Sequence, residues 1–167
     1  MPINELLLPE FEEEMKKTRA MLERVPFDKA DFAPHPKSML LGKLAPHVAE
    51  LAGLGVTVLT TPELDFGSGP PRERPPFDSA GLLKAFDEGT AKARTALKNT
   101  EDDAWLQPWK LSFQSKTIFK GTRFLAYRAM FLNHLVHHRA QLGVYLRMNE
   151  KPLPATYGPS ADDRMGF

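Results

Sequence analysis

Four segments of this sequence repeat apolar residues at the spacing of an α-helix, and stretches rich in Pro and Gly separate them. The predicted helices run from about Ile3 to Arg24, Ser38 to Thr60, Asp78 or Ser79 to Lys98 and Thr122 to Asn149. In each segment apolar residues recur every three or four positions, which gives the helix one apolar face. Four such faces are best buried against one another. The sequence therefore predicts an all-α fold, a four-helix bundle with long loops and an irregular C-terminal tail from Pro152 to Phe167.

Three stretches depart from simple helical spacing. Pro46 lies inside the second predicted helix and predicts a kink there or a later helix start. The connection from Pro62 to Pro76 is rich in Pro, Gly and Arg, which is typical of an irregular loop. Between residues 105 and 120 the alternation of Leu111, Phe113 and Ser115 favours a short extended piece. The sequence leaves the conformation of residues 62–77 and 105–120 otherwise open.

The chain has 167 residues, which is the usual size of one domain, so we expect residues 1–167 to form a single domain. Lys and Arg together number 22 against 21 Asp and Glu, and this balance makes nucleic acid an unexpected partner. No run approaches the roughly 18 apolar residues of a membrane-spanning helix. The acidic N-terminus does not resemble a signal peptide either. We therefore expect a cytoplasmic protein that does not associate with membranes.

The chain contains no Cys, and this absence limits the chemistry of any metal or catalytic site. A thiolate nucleophile is excluded, and a metal ion would have to be bound by His, Asp, Glu or water.

Two histidines, His134 and His138, lie four residues apart in the fourth predicted helix. Their side chains differ by about 40° in direction and stand one turn apart, so both can reach one metal ion. The helical H-E-x-x-H motif binds zinc in this way. The intervening Leu135-Val136-His137 lacks the Glu of that motif, which disfavours peptidase chemistry. Burying two unpaired imidazoles is costly, and a shared metal ion would remove that cost.

His47 lies on the apolar face of the second predicted helix and is the candidate third ligand. Three imidazoles would leave coordination positions open for water or substrate, as in catalytic zinc sites. A single inward His is more often a hydrogen-bonded core residue, and spacing alone leaves both interpretations open. His137 points about 60° away from His134, so we expect it to pack or to form a hydrogen bond near the site. His35 lies between two prolines and is expected at the surface.

Three further residues are weaker candidates for catalytic roles. Gln141 and Tyr145 share the helix face of the His pair and could orient a ligand or a water molecule. Glu50 follows His47 by three residues and could act as a general base, although a solvated Glu on a helix flank is the commoner case. Arg139 is as well suited to a structural salt bridge as to contact with an anionic substrate.

The residues around these histidines resemble a known family. The segment from Asn133 to Leu142 is similar to the signature helix of the DinB/YfiT-like superfamily, which is named from DNA-damage-inducible proteins. The segment from Pro46 to Leu51 resembles the one that supplies the first metal ligand of that family, and Pro154 to Asp162 resembles its C-terminal end. Ala140 stands where the family often has Gly, and Ala is small enough to preserve close packing there.

This resemblance implies a four-helix bundle, often homodimeric, with one divalent transition-metal ion bound to three His. In this sequence the matching positions are His47, His134 and His138, and the metals most often found are zinc and nickel. Characterised relatives use low-molecular-weight thiols; they are thiol S-transferases and a mycothiol-dependent maleylpyruvate isomerase. Many other members carry only the label of metal-dependent hydrolase.

The hypothesis drawn from the sequence is therefore an enzyme whose three-His metal activates water or a small thiol. The alternative is a non-catalytic dimer that binds metal or a small molecule in a stress response. A protein that binds metal but turns over neither esters nor thiol-transfer substrates would favour the alternative. A DNA-binding role in damage response is disfavoured by the near-zero net charge.

Overall fold

The computed structural model of the protein describes residues 1–68 and 74–166, which are mostly helical and include one small sheet. The elements in chain order are α1 (Ile3–Leu22), a 3₁₀ turn (Phe27–Lys29), α2 (Leu41–Thr60), β1 (Glu63–Asp65), α3 (Ser79–Lys98), α4 (Asp102–Leu106), β2 (Pro108–Phe113), β3 (Lys116–Thr122), α5 (Arg123–Ala126), a π-helical turn (Tyr127–Leu132) and α6 (Asn133–Met148). The predicted loop between the second and third helices includes residues 69–73, which lie outside this description.

The four long helices that the sequence predicts are all present, with small shifts at their ends. The second begins at Leu41 rather than near Ser38 and continues through Pro46. The third is capped by Asp78, whose carboxylate accepts a hydrogen bond from the Gly81 backbone N–H at 2.7 Å. The fourth is a continuous helical stretch formed by α5, the π-helical turn and α6. None of the helices in the described ranges combines the length and apolar character needed to cross a membrane.

The protein is not purely all-α, because β1, β2 and β3 form a three-stranded sheet in that order. β1 runs parallel to β2, and β2 runs antiparallel to β3. The carboxylate of Asp65 accepts backbone N–H groups of Gln114 at 3.0 Å and Ser115 at 2.7 Å, which closes the turn between β2 and β3. The extended piece predicted near Leu111 is confirmed, but it is only the central strand of this sheet. Its partners lie far away in sequence, and local alternation does not reveal them.

One hydrophobic core joins the helices and the sheet. α2 packs along α3 and also against α6 and the π-helical turn, whereas α1 packs on α3 and α6. Because α2 has helices on several sides, its buried residues occupy more than a single stripe. Trp105 of α4 and Trp109 of β2 are also fully buried, so the segment between α3 and α5 contributes to the core.

α2 and the π-helical turn are in close contact at Gly55. A Cβ atom added to Gly55 would lie 2.7 Å from Cε1 of Phe131, well inside carbon–carbon contact distance. The Phe131 side chain is fully buried, and its ring packs on Phe11 and Tyr127 with centroid distances of 6.4 and 5.2 Å. The ring therefore has no free space to move into. Gly55 sets the separation between α2 and the turn that leads into α6.

Replacing Gly55 by Ala should lower the free energy of unfolding by about 1–3 kcal/mol, because the new methyl group would displace Phe131. Gly53 provides a matched control in the same helix, since a Cβ there meets nothing within 4 Å. Gly53→Ala should raise the free energy of unfolding by up to about 1 kcal/mol, because Ala favours a helix. Urea unfolding of both variants measures the difference. Effects of the same sign would contradict the account of this contact.

Candidate metal centre

His47 of α2 and the pair His134 and His138 of α6 converge on one point. One ring nitrogen of each residue lies within 4.8 Å of the other two. The ring centroids are 4.5 to 5.3 Å apart. Zinc–nitrogen bonds of about 2.0–2.1 Å in tetrahedral geometry place ligand atoms about 3.4 Å apart. Side-chain adjustments of roughly 1 Å would therefore let the three nitrogens bind one ion, and the set fits a divalent metal.

The π-helical turn before α6 determines how the His pair is presented. At its end the Asn133 backbone N–H donates to the carbonyl of Arg128, five residues earlier, instead of four. Such a turn contains one extra residue and rotates the helix that follows it relative to the helix before it. π-Helical turns are often found at functional sites. The direction of His134 and His138 thus depends on a local irregularity as well as on their spacing.

A hydrogen bond orients one of the three imidazoles. The Oε1 atom of Gln141 lies 2.7 Å from Nδ1 of His138. If the amide oxygen accepts the Nδ1 proton, Nε2 of His138 is left free to bind a metal. Hydrogen bonds of this type are a regular feature of His residues that bind metals. The backbone of Met130, one turn before His134 in the helical stretch, acts to raise the pKa of His134, against the larger effect of burial.

The surroundings of the three histidines favour their neutral form. Burial and the nearby His138 and His134 lower the pKa of His47 to about 4, and the positive charge of Arg74 contributes in the same direction. Burial is also the largest cause of the lowered pKa of His134 and of His138. A metal ion binds only the unprotonated imidazole nitrogen. At neutral pH these residues need release no protons before binding an ion.

The other two histidines take no part in this cluster. His137 is exposed on α6, and its ring contacts that of His138 with a centroid distance of 4.8 Å. Its nitrogens do not belong to the set that could hold one ion. His35 is exposed, as expected, and its Nδ1 accepts the backbone N–H of Lys37 at 3.1 Å. The side chain of His137 therefore leaves α6 in a different direction from those of His134 and His138, as the sequence predicted.

Tyr145 and Glu50 contact other parts of the protein. Tyr145 is buried, its hydroxyl donates to the Met39 carbonyl at 2.7 Å, and its ring packs edge-on against Phe32. These two contacts hold the segment before α2 against α6. Glu50 lines a groove between α2 and α3. Catalytic roles for Glu50, Gln141 and Tyr145 stay predictions, and the contact of Gln141 with His138 gives Gln141 a part in the site.

A buried ion pair, whose acidic partner the sequence analysis did not identify, fixes α6 against α1. Arg139 is 2% exposed, and its Nη2 lies 2.6 Å from Oε2 of Glu14. Its Nη1 donates to the Glu14 carbonyl at 3.1 Å and to Thr18 Oγ1 at 3.2 Å. Tyr157 of the C-terminal tail accepts from Arg139 and donates to Glu14, both at 2.9 Å. Of the two roles open to Arg139, the structure shows the salt bridge. Glu14 lies seven residues after Leu7 and three after Phe11, so helical spacing places it on the buried face of α1, and this was the signal that could have identified it.

A mostly helical fold in which two helices present three imidazoles to one point defines a candidate mononuclear metal protein. The family model described as the DinB family matches residues 1–164, and the chain therefore belongs to the DinB family. This confirms the resemblance found in the sequence.

Two solved structures are similar to this chain over nearly its whole length. A DinB-like protein from Bacillus subtilis shares 18% identity, with a TM-score of 0.66 and coverage of 96% of this chain and 99% of that one. A DinB-like protein from Bacillus cereus also shares 18% identity, with a TM-score of 0.68 and coverage of 93% and 98%. At this identity the likeness shows the fold alone. No protein of curated function matches the sequence.

Gln141→Ala should weaken divalent metal binding by about 10- to 100-fold, because His138 would lose the hydrogen bond that orients it. Gln141→Glu is the matched variant, since a carboxylate at the same place can still accept the Nδ1 proton and should keep the affinity or raise it. Competition against a chromogenic chelator of known affinity measures both changes. Equal affinity in wild type and Gln141→Ala would show that this hydrogen bond does not support metal binding.

Proposed function

We propose that this protein is an enzyme in which His47, His134 and His138 hold one divalent transition-metal ion, zinc or nickel. In this proposal α1, α2, α3 and α6 form a four-helix bundle, and the ion lies between α2 and α6. The observation that carries the proposal is the convergence of three imidazoles, one of them oriented by a hydrogen bond to Gln141. Three protein ligands leave at least one coordination position for an exogenous molecule. The homodimer implied by the family resemblance stays a prediction.

A divalent ion bound in this way supplies a Lewis acid that lowers the pKa of a coordinated water or thiol. No carboxylate belongs to the group of described residues that could hold this ion. Attack by water is commonly assisted by a general base, whereas a thiolate is itself the reactive species. These features support thiol S-transfer as the leading activity, with metal-dependent hydrolysis second.

The absence of Cys from the chain also supports a thiol supplied from outside. No side chain of this sequence can offer a competing thiolate to the ion. A low-molecular-weight thiol would therefore be the only source of sulfur at the site, other than the thioethers of Met.

Thiol transfer is tested by removing metal with a chelator, reloading with Zn²⁺ or Ni²⁺ and following the reaction of several small thiols with an activated aryl halide. Hydrolysis of a nitrophenyl ester is followed in parallel. We expect metal-dependent thiol consumption that falls to the metal-free rate in His47→Ala, because this variant removes the only ligand from α2. His137→Ala should retain the activity. A metal-loaded wild type that catalyses neither reaction would contradict the proposal and favour a non-catalytic binding protein.

A further inference from the structure

Arg74 brings a positive charge close to His47. It is exposed and lies in the connection between β1 and α3, and its Nη1 donates to the Lys43 backbone carbonyl at 3.4 Å. Lys43 stands one helical turn before His47 on α2, so the guanidinium lies beside the turn that carries this imidazole. Arg74 therefore flanks the candidate metal centre on its α2 side.

Most hydrogen-bond donors of Arg74 have no partner among the residues that the structure describes. Arginine carries five N–H donors, and the contact with Lys43 is the only one that Arg74 makes to residues 1–68 and 74–166. Other arginines of the chain pair with carboxylates; these are Arg19, Arg94, Arg128, Arg139 and Arg147. Arg74 forms no such pair within the described ranges. Its planar donor group is available to a ligand.

A divalent metal ion bound to the three histidines would be repelled by the positive charge of Arg74 unless an anion were also bound. Neutral imidazoles leave the charge of a divalent ion uncompensated. Arg74 adds a further positive charge on the side of His47, and like charges near a partly buried site repel one another. No carboxylate belongs to the group of described residues that could hold this ion. An anionic ligand between the ion and Arg74 would be attracted by both positive charges.

The form of the guanidinium indicates which anionic group fits best. Its parallel N–H donors match the two oxygens of a carboxylate, and such bidentate pairs are stronger than contacts between neutral groups. We infer that the substrate of this site carries a carboxylate in addition to the atom that binds the metal, and that Arg74 recognises this carboxylate. The inference rests on the proposed function, because it requires a metal ion at the three histidines. Arg74 is then a residue that determines substrate specificity.

The test uses protein loaded with Co²⁺, whose absorption reports on thiolate binding, and two matched probes. 3-Mercaptopropionate and 2-mercaptoethanol both offer a thiol to the metal, but only the first has a carboxylate. The measured quantity is the ratio of their dissociation constants in each variant. Because a carboxylate can also bind the metal directly, only the change of this ratio between variants reports on Arg74. This comparison requires no enzymatic turnover.

Arg74→Gln should reduce the preference for 3-mercaptopropionate by about tenfold, as expected for the loss of one charge-assisted pair. Its affinity for 2-mercaptoethanol should stay within about twofold of wild type, because the metal ligands are unchanged. Arg74→Lys should have an intermediate effect, since it keeps the charge but loses the paired donors. Arg164→Gln is the control for net charge; Arg164 is exposed in the C-terminal tail, and this variant should keep the wild-type ratio.

An unchanged ratio in Arg74→Gln would overturn the inference and leave the proposed metal site intact. An equal reduction in Arg164→Gln would also overturn it, because the effect would then come from net charge. Failure of the wild type to bind Co²⁺, which is measured first, would overturn both this inference and the proposed function.

Discussion

The close packing of α2 against the π-helical turn is the constraint on which the candidate site depends. Gly55 leaves room for the ring of Phe131, and a methyl group at this position would overlap that ring. The imidazole of His47 lies about two turns earlier on the same helix. With the helices at this separation, it reaches the His pair of α6 and places three nitrogens within 4.8 Å of one another. The apolar contact between Gly55 and Phe131 thus helps to determine the geometry of the three histidines.

Burial determines the protonation state of the three histidines. Partial removal from water lowers the pKa of each of the three imidazoles and keeps them neutral at physiological pH. Neutral ligands leave the full charge of a bound divalent ion to be balanced by something outside the ligand set. Arg74 adds a further positive charge that must be balanced. A site of this kind selects anionic ligands, and a thiolate and a carboxylate are both suitable.

The parts of the structure that were predicted from sequence depend on local spacing. Helical periodicity predicted the four long helices, and an i,i+4 spacing predicted that His134 and His138 would point the same way. His47 needed the family resemblance, because spacing within one helix cannot show which helices are neighbours. The sheet, the π-helical turn and the Glu14–Arg139 ion pair were missed. They arise from contacts between distant residues or from a wide turn that the average helical period does not describe.

The central claim is that three histidines bind one metal ion, and the metal content of purified protein tests it most directly. Apo-protein is incubated with Zn²⁺ or Ni²⁺, freed of excess metal and analysed for its elements, with circular dichroism as the check on folding. We predict close to one ion per chain in wild type and in His137→Ala, and little metal in His47→Ala, His134→Ala and His138→Ala. Equal metal content in wild type and in all three of these ligand variants would contradict the account.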